Sequence, residues 1–168
     1  DDGIRTDLLE EALCGGPKFM YILPNFQNPA GVTLSLERRK FLIDIADVYG
    51  IPIIEDDPYG ELRYEGEHVT PLVVLDSQKH TRQPDYSNGQ GFMRGNVIYI
   101  STFSKTLAPG LRLAWIVAPT DVINHCVVAK QGMDLHSSTL VQMTAYELIK
   151  DGFLGDHVKH IRDVYGHR

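Results

Sequence analysis

Cysteine is scarce in this chain. Cys14 and Cys126 are the only two in 168 residues, too few and too far apart for a disulfide framework or a zinc ligand set. That fits a reducing compartment of the cytoplasmic kind. Long apolar runs are also missing: none approaches the ~20 residues that a membrane-spanning helix needs. The opening residues, Asp1-Asp2-Gly3-Ile4-Arg5, carry no signal-peptide pattern. Positive charge is in deficit, with 16 Lys and Arg against 22 Asp and Glu for a net charge of −6. Neither nucleic acid nor an anionic membrane surface is therefore expected as a partner. Repeats and low-complexity tracts are absent. The seven histidines are scattered. His157 and His160 can share a helical face, but no third ligand accompanies them, and no metal site is expected.

What is present is an ordinary globular composition, 43% apolar, enough for one packed core. Helix and strand signals alternate. Thr6 to Leu13 reads as a short amphipathic helix stopped by Gly15-Gly16-Pro17. Phe19 to Leu23 is a strand closed by Pro24, and a polar loop runs from Asn25 to Gly31. Ser35 caps a helix reaching about Tyr49, with Arg38 and Arg39 expected outward and Phe41, Leu42, Ile45 and Ala46 inward. Ile51 to Ile54, Asn96 to Thr102 and Leu111 to Ala118 are further strands. Glu61 to Arg94 is less regular, and Gln78 to Met93 reads as a surface loop or insertion. Helices follow from Asp121 to about Met133, Thr139 to about Lys150, and Phe153 onward, with His136-Ser137-Ser138 as capping chemistry for the second.

The first three strands are short apolar runs without alternation, as strands covered on both faces are. The Ser35–Tyr49 helix between two of them fits a right-handed crossover. The expected fold is α/β, a mostly parallel sheet flanked by helices. In such sheets ligands bind at the carboxyl ends of strands. Asn28, Asp56, Tyr59 and Lys105 all fall there, which argues that they share one site.

The chemistry of that site turns on Lys105. It lies in Ser101-Thr102-Phe103-Ser104-Lys105-Thr106-Leu107-Ala108-Pro109-Gly110-Leu111-Arg112. A lysine at the end of an apolar strand can be held near-neutral and attack an aldehyde. The hydroxyls of Thr102 and Ser104 and the guanidinium of Arg112 suit a phosphate. Together they suggest a Schiff-base lysine beside a phosphate, the arrangement used for pyridoxal phosphate. A solvated lysine is the simpler reading. A P-loop fails, because no glycine precedes Lys105 at the required positions. Asp56 can pair with a pyridinium nitrogen, with an arginine or with a helix end, and Glu55-Asp56-Asp57 can also hold a divalent cation. Tyr59 can donate to a ring oxygen or stand half-buried with a wet hydroxyl. Asn28, extended before Pro29, can point its amide into the site or brace its own loop.

In order, these segments resemble the fold type I pyridoxal-phosphate aminotransferases, nearest the 2-aminoadipate, kynurenine and aromatic amino acid branch. Three motifs carry the resemblance: Pro24-Asn25-Phe26-Gln27-Asn28-Pro29-Ala30-Gly31, Glu55-Asp56-Asp57-Pro58-Tyr59-Gly60, and Thr102 to Arg112. The last is the most specific, and the resemblance covers essentially the whole chain. It implies that Lys105 forms the Schiff base and shuttles the proton, and that Asp56 meets the pyridine nitrogen. Tyr59 and Asn28 then meet the ring oxygen, and Thr102, Ser104 and Arg112 the phosphate. It also implies pyridoxal 5'-phosphate as cofactor, an aromatic or 2-aminoadipate-like amino acid and a 2-oxo acid such as 2-oxoglutarate as substrates, and a homodimer. Ala114 stands where the family usually has glycine.

Enzymes of this kind are more than twice as long. The expectation is that residues 1–150 are the central part of a cofactor-binding large domain and 151–168 a helix leading toward a small domain. On that reading the chain alone binds the cofactor weakly and turns over little. A non-catalytic sensor domain of a transcription regulator, which shares this fold, is the alternative.

Overall fold

The computed structural model describes residues 3–80 and 95–167. Its centre is a four-stranded sheet in the order β1 (Met20–Ile22), β2 (Ile53–Asp56), β3 (Val97–Thr102) and β4 (Ala114–Val117). The first three strands run parallel, with Ile53 opposite both Met20 and Val97. The fourth returns antiparallel, with Thr102 opposite Ala114. The expected mostly parallel α/β sheet is present, but each strand is shorter than its apolar run. Phe19 and Leu23 fall outside β1, and Leu111 to Leu113 fall outside β4. Pro24 cannot donate to a ladder, and a 3-10 turn over Pro109–Leu111 precedes β4.

Three helices cover one sheet face. They are α1 (Leu9–Cys14, after a 3-10 turn at Thr6–Leu8), α2 (Leu36–Tyr49) and α3 (Leu72–His80). Leu9 and Leu13 of α1, Leu42, Ile43 and Ala46 of α2, and Leu72 and Val73 of α3 pack with Met20, Ile22, Ile53 and Val97. Leu42, Ile53 and Leu72 are wholly buried, and burying each such side chain is worth about 1.5–3 kcal/mol. Ser35 caps α2 by accepting from the Arg38 amide at 3.3 Å. Gly50, at φ 64°, closes it in the left-handed conformation that glycine adopts without strain.

Two expectations about this layer fail, both for long-range reasons. Arg39 points inward and is fully buried, whereas Phe41 is 42% exposed. The buried stripe of α2 is Arg39, Leu42, Ile43 and Ala46, a regular i, i+3, i+4, i+7 pattern that contains one charge. Helix α3 lies in the stretch expected to be irregular, so Gln78 to His80 form its last turn rather than a loop. The remainder of that stretch, 81–94, falls outside the described residues. Thr70 stands just before Pro71, but its hydroxyl accepts no amide of α3 among the described residues. The Leu72 and Val73 amides instead donate to Glu55 of β2 at 2.8 Å each, a cap supplied from 17 residues away.

After β3 the chain makes the short helical turn α4 (Phe103–Thr106), which carries Lys105. Helices α5 (Thr120–Met133), α6 (Thr139–Lys150) and α7 (Phe153–Gly166) follow β4. Ser138 stands at the N-cap of α6 but makes no side-chain capping bond. Gln142 Nε2 instead donates to the Ser137 carbonyl at 2.7 Å. Helix α7 returns to the segment just after Tyr59, where Arg162 Nε donates to the Glu61 carbonyl at 2.6 Å and Tyr165 meets Tyr64 edge-on at 6.4 Å. Cys14 and Cys126 are both free thiols. No helix among the described residues is long and apolar enough to cross a membrane.

Candidate active site

Strand alternation sends three consecutive carboxylates in different directions at the end of β2. Glu55, on the core face, accepts the two α3 amides. Asp57 accepts from Asn25 Nδ2 and from the Gly60 amide, both at 2.9 Å. Asp56, the last residue of β2, faces the opposite side, half-buried, and its Oδ2 accepts from the Tyr21 hydroxyl. The three do not converge on a point, so the divalent-cation reading of this run finds no geometry to support it. No cation meets Asp56 among the described residues. Its partner is a phenol, and that phenol is pushed up to about 12 by the bond to Asp56 first and by desolvation second. Gly60 is required where it stands, because a Cβ there would lie 2.4 Å from Asp57 Oδ2.

Asn28 and Tyr59 come together. Both line one pocket of about 330 Å³ with Phe26, Gln27, Leu62 and Tyr64. Asn28 is exposed and precedes a cis bond to Pro29. Lys105 is exposed too, with its Nζ 5.9 Å from the centre of the Tyr59 ring and no carboxylate partner among the described residues. Thr102 and Ser104 are also joined. Thr102 Oγ1 accepts the Ser104 amide at 3.1 Å, lies 3.0 Å from Ser104 Oγ, and donates to the Leu113 carbonyl at 2.9 Å. Pairing of β3 with β4 thus returns the chain so that Leu113 and Ala114, which follow Arg112, lie against Thr102. Arg112 is exposed at φ 53°, with Nη1 donating to the Pro109 carbonyl at 3.3 Å. No hydrogen bond or ion pair joins Asp56 to Lys105, or Arg112 to Ser104, among the described residues. The arrangement offers one amine, one half-buried carboxylate, a phenol, an amide, two hydroxyls and a guanidinium around one end of a sheet. That set can bind an anion and a cationic ring and can carry a proton.

Beneath these groups lies a buried polar network that pattern reading missed. Arg39 donates to the carbonyls of Leu34, Val69, Thr70 and Pro24 and to Asn25 Oδ1. Asn25 passes the link to Asp57, and Ser101 Oγ donates to the Asp57 carbonyl at 2.7 Å. The network therefore ties the Asn28 loop, the Tyr59 turn and β3 together. Nearby, the Arg63 guanidinium lies 4.7 Å over the Phe26 ring, with Nε and Nη2 buried and without hydrogen-bond partners. The available signal for the network was Asn25, a polar residue locked between Pro24 and Phe26 where a strand ends.

Glu55 makes the network sensitive to pH. Burial, partly offset by the Val73 and Leu72 amides, pushes its carboxyl from 4.5 up to about 7. A folded value above the unfolded one means that its stabilising effect is full below about pH 4.5 and fades as pH rises through 7. At about 1.4 kcal/mol per unit, wild-type stability is expected to fall by on the order of 3 kcal/mol across that window. Urea unfolding from pH 5 to 8 checks this. Glu55→Gln should flatten the slope, and an unchanged slope would refute the assignment.

Away from the site, Asp47, Asp76 and His80 bring ligand atoms within 4.8 Å of one another. Lys79 meets the charge of Asp47, while burial pushes the Asp76 carboxyl up. Lys79 Nζ lies 2.6 Å from Asp47 Oδ2, and the His80 ring stands 3.3 Å from Asp47 and 3.0 Å from Asp76. The cluster clasps α2 and α3 to the start of β3, whose Asn96 and Val97 amides donate to Asp76.

The family model described as aminotransferase class I and II matches residues 2–168. The chain belongs to that family. A curated aminotransferase, aromatic-amino-acid aminotransferase 1 of Thermococcus litoralis, is 41% identical over 98% of this chain and 37% of its own length. Among solved aminotransferases, the alpha-aminoadipate enzyme of Thermus thermophilus superposes with a TM-score of 0.86 at 37% identity. It covers 99% of this chain and 39% of that one. That structure holds N-(5'-phosphopyridoxyl)-L-leucine. An uncharacterised HTH-type transcriptional regulator of Bacillus subtilis is also similar, 33% identical over 96% of this chain and 30% of its own length. The chain thus spans well under half the length of the aminotransferases it matches.

Proposed function

We propose that this chain holds pyridoxal 5'-phosphate and forms part of an enzyme that moves an amino group between an amino acid and a 2-oxo acid. The observation that carries the proposal is Lys105, an amine with no carboxylate partner among the described residues and its Nζ 5.9 Å from the Tyr59 ring centre, beyond the strand ends. The residues fit the cofactor. Asp56 is half-buried without a cationic partner among the described residues, as an acceptor for a pyridinium N–H requires. Asn28 and Tyr59 share a pocket of about 330 Å³, and Thr102, Ser104 and Arg112 gather on the β3–β4 return.

The chemistry supplied by the cofactor when bound is an electron sink for charge developing at the substrate Cα. The chain's own residues do the rest. Lys105 Nζ would hold the aldehyde carbon and, once the substrate's amine had displaced it, would take and return the Cα proton. Asp56 holds the ring nitrogen in its protonated form. The Tyr59 hydroxyl and the Asn28 amide orient the ring oxygen, and Thr102, Ser104 and Arg112 fix the phosphate. The names of two relatives support an aromatic or 2-aminoadipate-like amino acid as the donor; 2-oxoglutarate as the acceptor and a cytoplasmic homodimer as the working form complete the proposal. Residues 1–150 serve as the central part of the large domain and 151–168 as the helix toward a small domain. Neither nucleic acid nor a membrane is a partner on this reading.

The test is to add pyridoxal 5'-phosphate to the full-length protein that contains this chain and follow visible absorbance, then to supply aromatic amino acids or 2-aminoadipate with 2-oxoglutarate and measure the 2-oxo acid formed. Bound cofactor with turnover is the expected result, and absence of any visible band would refute the cofactor assignment. The likeness to a transcription regulator favours a second reading, a non-catalytic sensor domain. Bound cofactor without turnover by the full-length protein would select it.

A further inference from the structure

Tyr21 belongs to β1, on the edge of the sheet among the described residues, and played no part in the sequence reading of the site. In the parallel register it stands opposite Ile54. Its side chain therefore shares a sheet face with Ile54 and Asp56, opposite the face that Ile53 and Glu55 turn to the core. From there its hydroxyl donates to Asp56 Oδ2 across 35 residues of chain. Asp56 Oδ1 receives no hydrogen bond from any described residue. A carboxylate with one oxygen tied and the other open is fixed in orientation, and its remaining lone pairs face one way.

We infer that Tyr21 is the positioning residue for Asp56, holding Oδ2 so that Oδ1 is presented to a cationic aromatic N–H. That ligand class is the protonated ring nitrogen of the cofactor, so the inference rests on the function proposed above. The electrostatics agree. The bond to Asp56, desolvation and the nearby Tyr59 together push the Tyr21 phenol up to about 12. It remains a neutral donor at every working pH, and a second anion does not form beside Asp56. A bond that served only to tie β1 to β2 would need neither an open oxygen beside it nor a place on the site face.

Two measurements separate positioning from simple strand pairing. The first is affinity, read by absorbance or fluorescence, for pyridoxal 5'-phosphate and for an analogue with carbon in place of the ring nitrogen. Tyr21→Phe is expected to weaken the cofactor about tenfold, to leave the analogue unchanged, and to add little once Asp56 is Asn. Equal weakening of both ligands, no weakening, or full additivity with Asp56→Asn overturns the inference. The second uses the apoprotein with 13C-labelled tyrosine, the Tyr21 Cζ signal being identified by its loss in Tyr21→Phe. At about pH 10.5 that signal should report a neutral phenol in the wild type and a clearly larger ionised fraction in Asp56→Asn. The same ionisation in both proteins refutes the coupling. Failure of the cofactor reading itself shows separately, as wild-type protein that gives no visible band with pyridoxal 5'-phosphate. That result sinks this inference as well, whatever the apoprotein shows.

Discussion

Replacing Lys105 by Ala is expected to abolish the visible absorbance that pyridoxal 5'-phosphate gives with the wild-type protein and to slow amino-group transfer by about a hundred- to ten-thousandfold. The expectation follows from two roles that one atom fills. On the proposed function Nζ makes the covalent link and, once displaced by the substrate amine, moves the proton at the substrate Cα. Ala supplies neither. Lys105→Arg should be as severe, since a guanidinium stays charged and cannot act as the nucleophile. The loss should come without unfolding. Lys105 is exposed, its Nζ stands 5.9 Å from the Tyr59 ring centre, and its side chain makes no hydrogen bond or ion pair among the described residues. Surface substitutions of this kind change stability by about 0.5 kcal/mol or less. The decisive comparison is therefore absorbance and rate beside thermal unfolding of the same samples. An unchanged band in Lys105→Ala would refute the assignment of the lysine. A collapsed melting temperature would show that the lysine supports the fold instead.

The candidate site residues legible in the sequence are those whose position along the chain is itself the signal. Lys105, Asp56 and Asn28 follow or end apolar runs, and the carboxyl ends of parallel strands are where ligands bind. The sheet was legible for the same reason, since β1, β2 and β3 are short apolar runs separated by punctuation. What stayed hidden depends on partners distant in sequence. Arg39 looks like a surface residue because Arg38 and Lys40 flank it, and only the fold brings five acceptors to its guanidinium. Helix α3 has its cap on another element, at Glu55. Tyr21 reads as one more apolar strand residue, and its bond to Asp56 depends on the register that sets β1 against β2. Local pattern reports faces and ends. It does not report which buried polar atoms find each other.

Removing the Arg39 side chain should be the most destabilising single change in the chain. Arg39 is wholly buried, and burial depresses its pKa, opposed by Glu55 and Asp57 and reinforced by Arg63. Arg39→Met keeps much of the volume but leaves four carbonyls and Asn25 Oδ1 without their donor. It also leaves the Glu55 and Asp57 carboxylates without their countercharge. Breaking a buried charge network in this way costs about 3–5 kcal/mol, a large share of the roughly 5–15 kcal/mol that holds a domain together. Arg39→Lys is not a rescue, because one ammonium has three donors and no planar fork. The site should suffer before the fold does, since Asn25 connects Arg39 to Asp57 and thereby fixes the loop that presents Asn28 against the turn that presents Tyr59. The deficit should also depend on pH in a definite direction. Arg39 favours the ionised form of Glu55, so without it Glu55 protonates more readily in the folded protein. Below about pH 5 the carboxyl is largely neutral with or without Arg39, and part of the penalty disappears. Urea unfolding of Arg39→Met is therefore expected to show a larger loss at pH 8 than at pH 5. A deficit that is equal at both would mean that Arg39 acts through its hydrogen bonds to carbonyls and not through charge.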